Sequence, residues 1–196
     1  ELEDHLRERV TARNGPEATL LGTGPWAGRT LAQVAEELGR RFEEVLIDEI
    51  GPGDASAAYF VMDRGLQDRL LADPHVMIAS DGSPAMRHPR GHGTFARVIR
   101  RYVVEEGLLS LEEAVRKMTG LPSETIGLDR QKRGLLREGW SADILVFDPS
   151  GVYDRATYEE PHLTARGFDA VIVNGRPVVR GGSPTGLLPG RLLRRG

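Results

Sequence analysis

The stretch that decides the fold is Val76-Met77-Ile78-Ala79-Ser80-Asp81-Gly82-Ser83-Pro84. Its first four residues are apolar or small with no alternation, which is typical of a strand buried on both faces, as parallel strands beneath helices are. The run ends at Asp81, and the Gly and Pro that follow require the chain to turn there. Because active sites of parallel α/β folds lie at the carboxyl ends of strands, this stretch predicts a buried strand that presents Asp81 at a site.

A charged loop follows the aspartate directly and contains two arginines and two histidines: Arg87, His88, Arg90 and His92. It is close enough in sequence to fold over the Asp81 carboxylate. A plain strand cap is the alternative interpretation, since Asp and Gly are ordinary turn residues. The residues alone favour neither interpretation, and both stay open at this point.

Length and composition describe an ordinary globular chain. The 196 residues are 39% hydrophobic and 28% charged, with a net charge of −3, and they suffice for one good-sized core or two small ones. The basic residues are spread among acidic ones, and the only basic cluster, residues 191–195, is explained by a solvated terminus. We therefore expect neither a nucleic acid nor a membrane surface as partner.

The chain contains no cysteine, which excludes disulfides, thiolate nucleophiles and zinc sites built on cysteine. No apolar run approaches the roughly 18 residues of a membrane helix. The N-terminus lacks the layout of a signal peptide, and the working expectation is a cytoplasmic protein. The chain starts at Glu1 rather than at Met, so we expect a cut or processed start.

The first two thirds of the chain have helical periodicity interrupted by short apolar runs. A Thr30/Gln33 capping box and Gly39 bound one helix, and Ser110 with Glu113 begins another. Thr94 is predicted to cap a third helix. The remaining predicted helices cover 1–14, 41–50 and 63–72, and the predicted strands cover 18–21, 57–62 and 76–80. The order of strand 57–62, helix 63–72 and strand 76–80 predicts a parallel crossover.

From Asp129 onward the pattern changes to β signals. Short strands are predicted over 134–139 and 142–148, and two more flank Asn174-Gly175, which is the strongest short hairpin signal. We therefore predict two domains, 1–128 and 129–196, with α/β character in the first and β character in the second.

Several motifs, in one order along the chain, resemble the D-aminoacylases, N-acyl-D-amino-acid deacylases of the metal-dependent amidohydrolase superfamily. The motifs are Ser80-Asp81-Gly82, His88-Pro89-Arg90, Gly93-Thr94-Phe95, Arg97, residues 111–122, Gly134-Leu135, Gly139, Ala142-Asp143, Val146-Phe147-Asp148 and Val173-Asn174-Gly175. The resemblance runs from about residue 30 to residue 194. It implies that the first domain is the last part of a (β/α)8 barrel and the second the C-terminal part of a small β-sandwich.

The resemblance also implies a chemistry, the hydrolysis of the amide bond of an N-acyl-D-amino acid beside a bound zinc. Asp81 matches the acid that lies next to the metal and acts as base and then as acid, a pair of roles that zinc favours by lowering the pKa of its bound water. Arg90 is implied to hold the α-carboxylate of the substrate. His88 and His92 are further candidates for substrate contact, and Asp81 is the one candidate metal ligand.

The chain also departs from the family pattern. The chain has no His-x-His pair and no histidine between His5 and His75, and a full barrel needs about 250 residues. It therefore resembles the last third of such an enzyme, and the other zinc ligands are expected in a missing N-terminal part. Because a catalytic zinc takes three protein ligands, these residues alone are expected to be inactive. The apolar faces of 57–62 and 76–80 are expected to be covered by that part or by a second copy, or to be poorly ordered.

Two other functions stay open. The chain could be a self-standing, non-catalytic module that kept the fold without the metal site. It could also belong to a dipeptide or cyclic-amide hydrolase, because an aspartate after the last strand is shared widely in the superfamily. Arg90 favours a substrate with a free carboxylate over a cyclic amide.

Overall fold

The computed structural model describes residues 1–53, 56–83 and 86–193. Pro84 and the end of the basic tail lie outside the described residues. The helices are α1 (Leu2–Thr11), α2 (Leu31–Leu38), α3 (Phe42–Glu44), α4 (Arg64–Ala72), α5 (Arg90–Arg97), α6 (Leu111–Met118) and α7 (Gly120–Ile126). Helices α3 and α5 continue as π-helical turns over Val45–Ile50 and Val98–Glu105, and short 3₁₀ turns cover Pro16–Ala18, Asp129–Gln131 and Pro149–Gly151.

The strands of the described residues form two antiparallel sheets. Strands β1 (Thr19–Leu21) and β2 (Ala57–Tyr59) pair with each other. Strands β3 (Ile144–Phe147), β4 (Phe168–Val173), β5 (Arg176–Arg180) and β6 (Ser183–Pro184) follow one another in a four-stranded sheet. The predicted α/β class is confirmed by this mixture of helices and sheets.

The first core packs α1, α2 and α3 over β1. Leu31, Val34 and Val45 are completely buried in it. The caps of α2 are those that the sequence predicts. The Thr30 hydroxyl accepts the Gln33 N–H, the Gln33 side chain accepts the Thr30 N–H, and Gly39 ends the helix in the left-handed conformation with φ +61°.

The second core lies between the π-helical turns after α5, helix α6 and the segment before Asp81. Its buried members include Ile78, Val98 and Tyr102. Lys117 on α6 is also fully buried, and its Nζ donates a hydrogen bond to the Asp73 carbonyl oxygen. The Ile78 N–H donates to the Lys117 carbonyl at 3.0 Å. Helix α6 therefore holds the segment that leads to Asp81.

The predicted strand over 76–80 is wrong, and so is the parallel crossover. Residues 76–80 have no strand assignment, and exposure alternates, with Ile78 buried and Met77 exposed. Strand β2 covers only the first half of the predicted 57–62 strand, is mostly exposed, and runs antiparallel to β1. The physical reason is that a strand requires a hydrogen-bonded neighbour, and within the described residues no strand lies beside 76–80.

Two smaller predictions are also wrong. Helix α5 begins at Arg90 after Pro89, so Thr94 is not a cap but lies in the second turn, where its hydroxyl donates to the Arg90 carbonyl at 2.8 Å. Residues 134–139 form bends and turns rather than a strand. A proline at the start of a helix favours the helical backbone conformation there, and the helix begins after Pro89 rather than at Thr94.

The hairpin at Asn174-Gly175 is confirmed. Both residues have positive φ, +48° and +75°, as the tight turn between β4 and β5 requires. A third core joins this sheet to the helices through Ala96, Ile99 and Val152, with Phe147 and Phe168 packed against them. The boundary near residue 129 stays a prediction. Across the described residues, no helix has the length and apolar character needed to span a bilayer.

Candidate functional site

Asp81 lies in an irregular segment beside the first turn of α5. It adopts the left-handed conformation with φ +48°, and its side chain is 84% exposed. Arg90 Nη2 lies 2.9 Å from Asp81 Oδ2, and Arg90 Nε lies 3.5 Å from the Asp81 carbonyl oxygen. A Cβ at Gly82 would lie 3.1 Å from the Gly91 Cα, so glycine permits this close approach. The structure thus brings together the predicted acid and the predicted carboxylate-binding arginine.

His88 joins this pair through the backbone. Its Nδ1 accepts a hydrogen bond from the Arg90 N–H at 3.1 Å, which requires that nitrogen to be unprotonated. Partial burial lowers the pKa of His88, and the Arg90 charge lowers it further, while Asp81 opposes them. Neutral His88 therefore helps to fix the start of α5.

Tyr158 is a site residue that sequence reasoning missed. Its ring makes edge-to-face contacts with His88, at 5.1 Å between centroids, and with Phe60, at 5.4 Å. Burial raises the pKa of Tyr158, and the nearby charges of Arg97 and Arg90 act in the opposite direction. The one sequence signal for Tyr158 is its place in the run Tyr-Glu-Glu-Pro-His, which has neither helical nor strand periodicity.

The segment that carries Tyr158, residues 154–162, is anchored on α5 and the turns that follow it. The Asp154 carboxylate, only 7% exposed, lies 2.5 Å from Arg100 Nε and 3.9 Å from Arg97 Nη1. A Cβ at Gly93 would already touch Asp154 and Ala156, at 3.5 and 3.6 Å. We call residues 154–162 the docking segment. Through Tyr158 it contacts His88, just before the start of α5.

His92 and Arg87 contact other neighbours. The His92 ring lies edge-to-face against His162 of the docking segment, with 5.4 Å between centroids. Arg87 Nε donates to the Gly22 carbonyl at 3.2 Å. The structure therefore groups Asp81, His88 and Arg90, whereas His92, on α5, contacts His162 of the docking segment instead.

The described residues do not by themselves fit a zinc site. Among them no group of three or more His, Cys, Asp or Glu side chains could hold a metal ion, whereas a catalytic zinc takes three protein ligands. Asp81 can supply one carboxylate, which is accessible but contacts Arg90. A cavity of about 280 Å³ between α1, β1 and β2 has Val10, Leu21 and Tyr59 in its lining and does not include the Asp81 group.

Comparisons with known proteins bear on these observations. Residues 28–179 match the amidohydrolase family. The chain is 42% identical over 193 residues to the N-acyl-D-aspartate deacylase of Alcaligenes xylosoxydans xylosoxydans, covering 97% of this chain and 36% of that protein. It is 45% identical over 171 residues to the D-aminoacylase of the same organism, covering 86% of this chain and 34% of the relative.

A solved structure agrees with these relatives. The N-acyl-D-glutamate deacylase from Bordetella bronchiseptica, in complex with zinc and a phosphonate inhibitor, superposes with a TM-score of 0.76 at 37% identity, over 91% of this chain and 38% of that one. The resemblance to D-aminoacylases is thus confirmed. The chain spans about a third of the length of these relatives.

Proposed function

Because the chain belongs to the amidohydrolase family, we propose that it is part of a zinc-dependent enzyme that hydrolyses N-acyl-D-amino acids to a carboxylate and a free D-amino acid. The observation that carries the proposal is the exposed pairing of Asp81 with Arg90, beside His88. This pair offers a proton acceptor and a carboxylate-binding cation to the same small molecule.

The roles of the two charged residues follow from their chemistry. Asp81 would take a proton from the attacking water and pass it to the leaving amine nitrogen. Arg90 would bind the α-carboxylate of the substrate through its planar guanidinium. Their mutual ion pair is exposed and contributes roughly 0–1 kcal/mol, so a substrate carboxylate can replace Asp81 at the guanidinium at little cost and leave the acid free.

In this proposal zinc is bound by the complete protein rather than by this chain alone. When bound, it polarises the amide carbonyl and lowers the pKa of water. Asp81 is the one ligand proposed from this chain, and the others are proposed to lie in an N-terminal part beyond it. The zinc in the structure of the Bordetella bronchiseptica deacylase supports this assignment.

The proposal also accounts for exposed apolar residues that follow β2 and that precede Asp81. Phe60, Val61, Met62 and Met77 are all exposed large apolar side chains, and strands with free edges tend to recruit a partner. We propose that residues 1–128 complete a (β/α)8 barrel together with the N-terminal part, and that residues 129–196 complete a β-sandwich. A second copy of the chain is the alternative cover for this surface.

The test is an activity and metal assay on the complete protein, with N-acetyl-D-amino acids compared with their L forms. Asp81→Asn should keep most of the bound zinc and lose turnover by roughly 10²–10⁴-fold, as expected for a lost acid/base group. Asp169→Asn, on an exposed strand position, is the matched control and should leave turnover unchanged. Turnover near that of the wild type in Asp81→Asn would contradict the assignment. A complete protein with neither zinc nor turnover would favour the non-catalytic module.

A further inference from the structure

The docking segment gives the site a residue from the β part of the chain. We propose that Tyr158 is a substrate-positioning residue: its ring holds His88, and His88 holds the backbone from which Arg90 reaches the substrate carboxylate. The inference rests on the proposed function, because it concerns how that substrate is held. It assigns a role in the site to a residue 77 positions after Asp81 along the chain.

The first step is that the docking segment has a fixed place. The buried carboxylate of Asp154 is bound by Arg100 and approached by Arg97, and both arginines follow Arg90 on the same continuous helix. Gly93 lets the segment approach that helix at van der Waals distance. Since charge-assisted hydrogen bonds are the stronger ones, the segment moves with the helix that begins at Arg90.

The second step is the contact between Tyr158 and His88. The Tyr158 and His88 rings meet at 79° with 5.1 Å between centroids, and the Phe60 ring also lies edge-to-face with Tyr158, at 79° and 5.4 Å. Edge-to-face pairs at this spacing are favourable beyond the area they bury. Tyr158 thus holds the His88 ring in one orientation.

The third step leads from His88 to the substrate. In that orientation Nδ1 accepts the Arg90 N–H at 3.1 Å, and Arg90 in turn reaches Asp81 at 2.9 Å. A shift of the ring therefore moves the guanidinium relative to the acid. A small displacement of this kind weakens substrate binding without removing any group that reacts.

The ring rather than the hydroxyl carries this role. Among the described residues the Tyr158 hydroxyl forms no hydrogen bond, whereas its ring makes both aromatic contacts. Phenylalanine at this position should therefore replace tyrosine, and leucine should not.

The experiment compares Tyr158→Phe and Tyr158→Leu in the complete, zinc-loaded protein. Tyr158→Leu should raise KM for N-acetyl-D-amino acids about tenfold, the scale of a lost aromatic pair, with kcat nearly unchanged and no effect on the corresponding methyl esters. Tyr158→Phe should behave as the wild type. Trp140 supplies the control, because its ring lies 5.4 Å from the guanidinium carbon of Arg137, outside the docking segment and the helix that anchors it; Trp140→Leu should leave KM unchanged.

A second measurement does not depend on turnover. Hydrogen exchange followed by mass spectrometry on peptides covering residues 86–97 should show faster exchange in Tyr158→Leu than in Trp140→Leu. Equal exchange in the two variants would overturn the proposal, as would an equal loss on acid and ester substrates or a Tyr158→Phe variant as impaired as Tyr158→Leu. A wild-type protein without turnover would refute the proposed function, and the exchange comparison would then still decide whether Tyr158 positions Arg90.

Discussion

Asp154→Asn should destabilise the protein through one buried charge. The Asp154 carboxylate is 7% exposed and binds Arg100 Nε at 2.5 Å. The substitution keeps the size of the side chain and removes its charge. Arg100 is then left with Glu105, at 2.6 Å, as its remaining charged partner. The hydrogen bond that Arg100 donates to the Asp154 carboxylate is the main reason that the pKa of Arg100 is raised above its ordinary value.

The magnitude follows from the burial of the pair. Removing one partner of a buried ion pair costs about 3–5 kcal/mol because the other charge stays desolvated. Arg100 keeps the partly exposed Glu105 and is itself 24% exposed, so we expect a loss of about 2–3 kcal/mol, below that scale. Glu105→Gln is the matched control on the same arginine. Its side chain is 48% exposed, and exposed pairs contribute about 0–1 kcal/mol.

Urea unfolding followed by circular dichroism measures both variants. With a slope of about 2–3 kcal/mol per molar urea, Asp154→Asn should lower the midpoint by about 1 M at an unchanged slope, and Glu105→Gln should barely move it. Equal midpoint shifts in the two variants would refute the reasoning, since burial would then not distinguish the carboxylates. The same result would remove the support for a fixed docking segment.

Three further predictions concern the site and the turns. Arg90→Lys should raise KM for substrates with a free carboxylate and leave KM for the corresponding methyl esters unchanged, because only the planar guanidinium binds a carboxylate through two hydrogen bonds. Steady-state kinetics measures both values of KM, and an equal rise for acids and esters would contradict the role of Arg90. Gly167→Ala should lower the free energy of unfolding by about 3 kcal/mol, because φ is +91° and the new Cβ would lie 2.2 Å from the Gly151 oxygen. Gly175→Ala is the control: φ is +75° but no described atom lies within 4 Å of the new Cβ, so the loss should be about 1 kcal/mol. Thermal unfolding measures both. Since burial lowers the pKa of His88 below its ordinary 6.5, its contribution to stability is complete above about pH 6.5 and is lost as the pH falls through the lowered pKa; an NMR titration of His88 at or above 6.5 would contradict this.

Features with local causes could be predicted from the sequence. The capping box of α2 needs only Thr30, Gln33 and the glycine at position 39, and all three act as expected. The Asn174-Gly175 turn is equally local, because both residues tolerate positive φ. The approach of Arg90 to Asp81 could also be expected, because only residues 82–89 separate them in the sequence.

Features that depend on distant partners could not be predicted. An apolar run such as Val76-Met77-Ile78-Ala79 predicts burial, yet a ladder forms only if another strand lies alongside. Tyr158 reaches His88 across 70 residues through the docking of a loop, which leaves no periodic trace in the sequence. Lys117 is fully buried against the Asp73 carbonyl, although lysine ordinarily marks a surface.

The left-handed backbone of Asp81 limits what an engineer can place there. Side chains other than Gly, Asn and Asp lose roughly 1–2 kcal/mol in that conformation, so a glutamate would strain the backbone as well as carry its carboxylate one methylene further out. To move the carboxylate further from the backbone, the conformation around residue 81 would therefore have to be redesigned, because a single substitution would not be enough. Asparagine shares the tolerance of aspartate for this geometry, which makes it the substitution that alters the chemistry and spares the backbone.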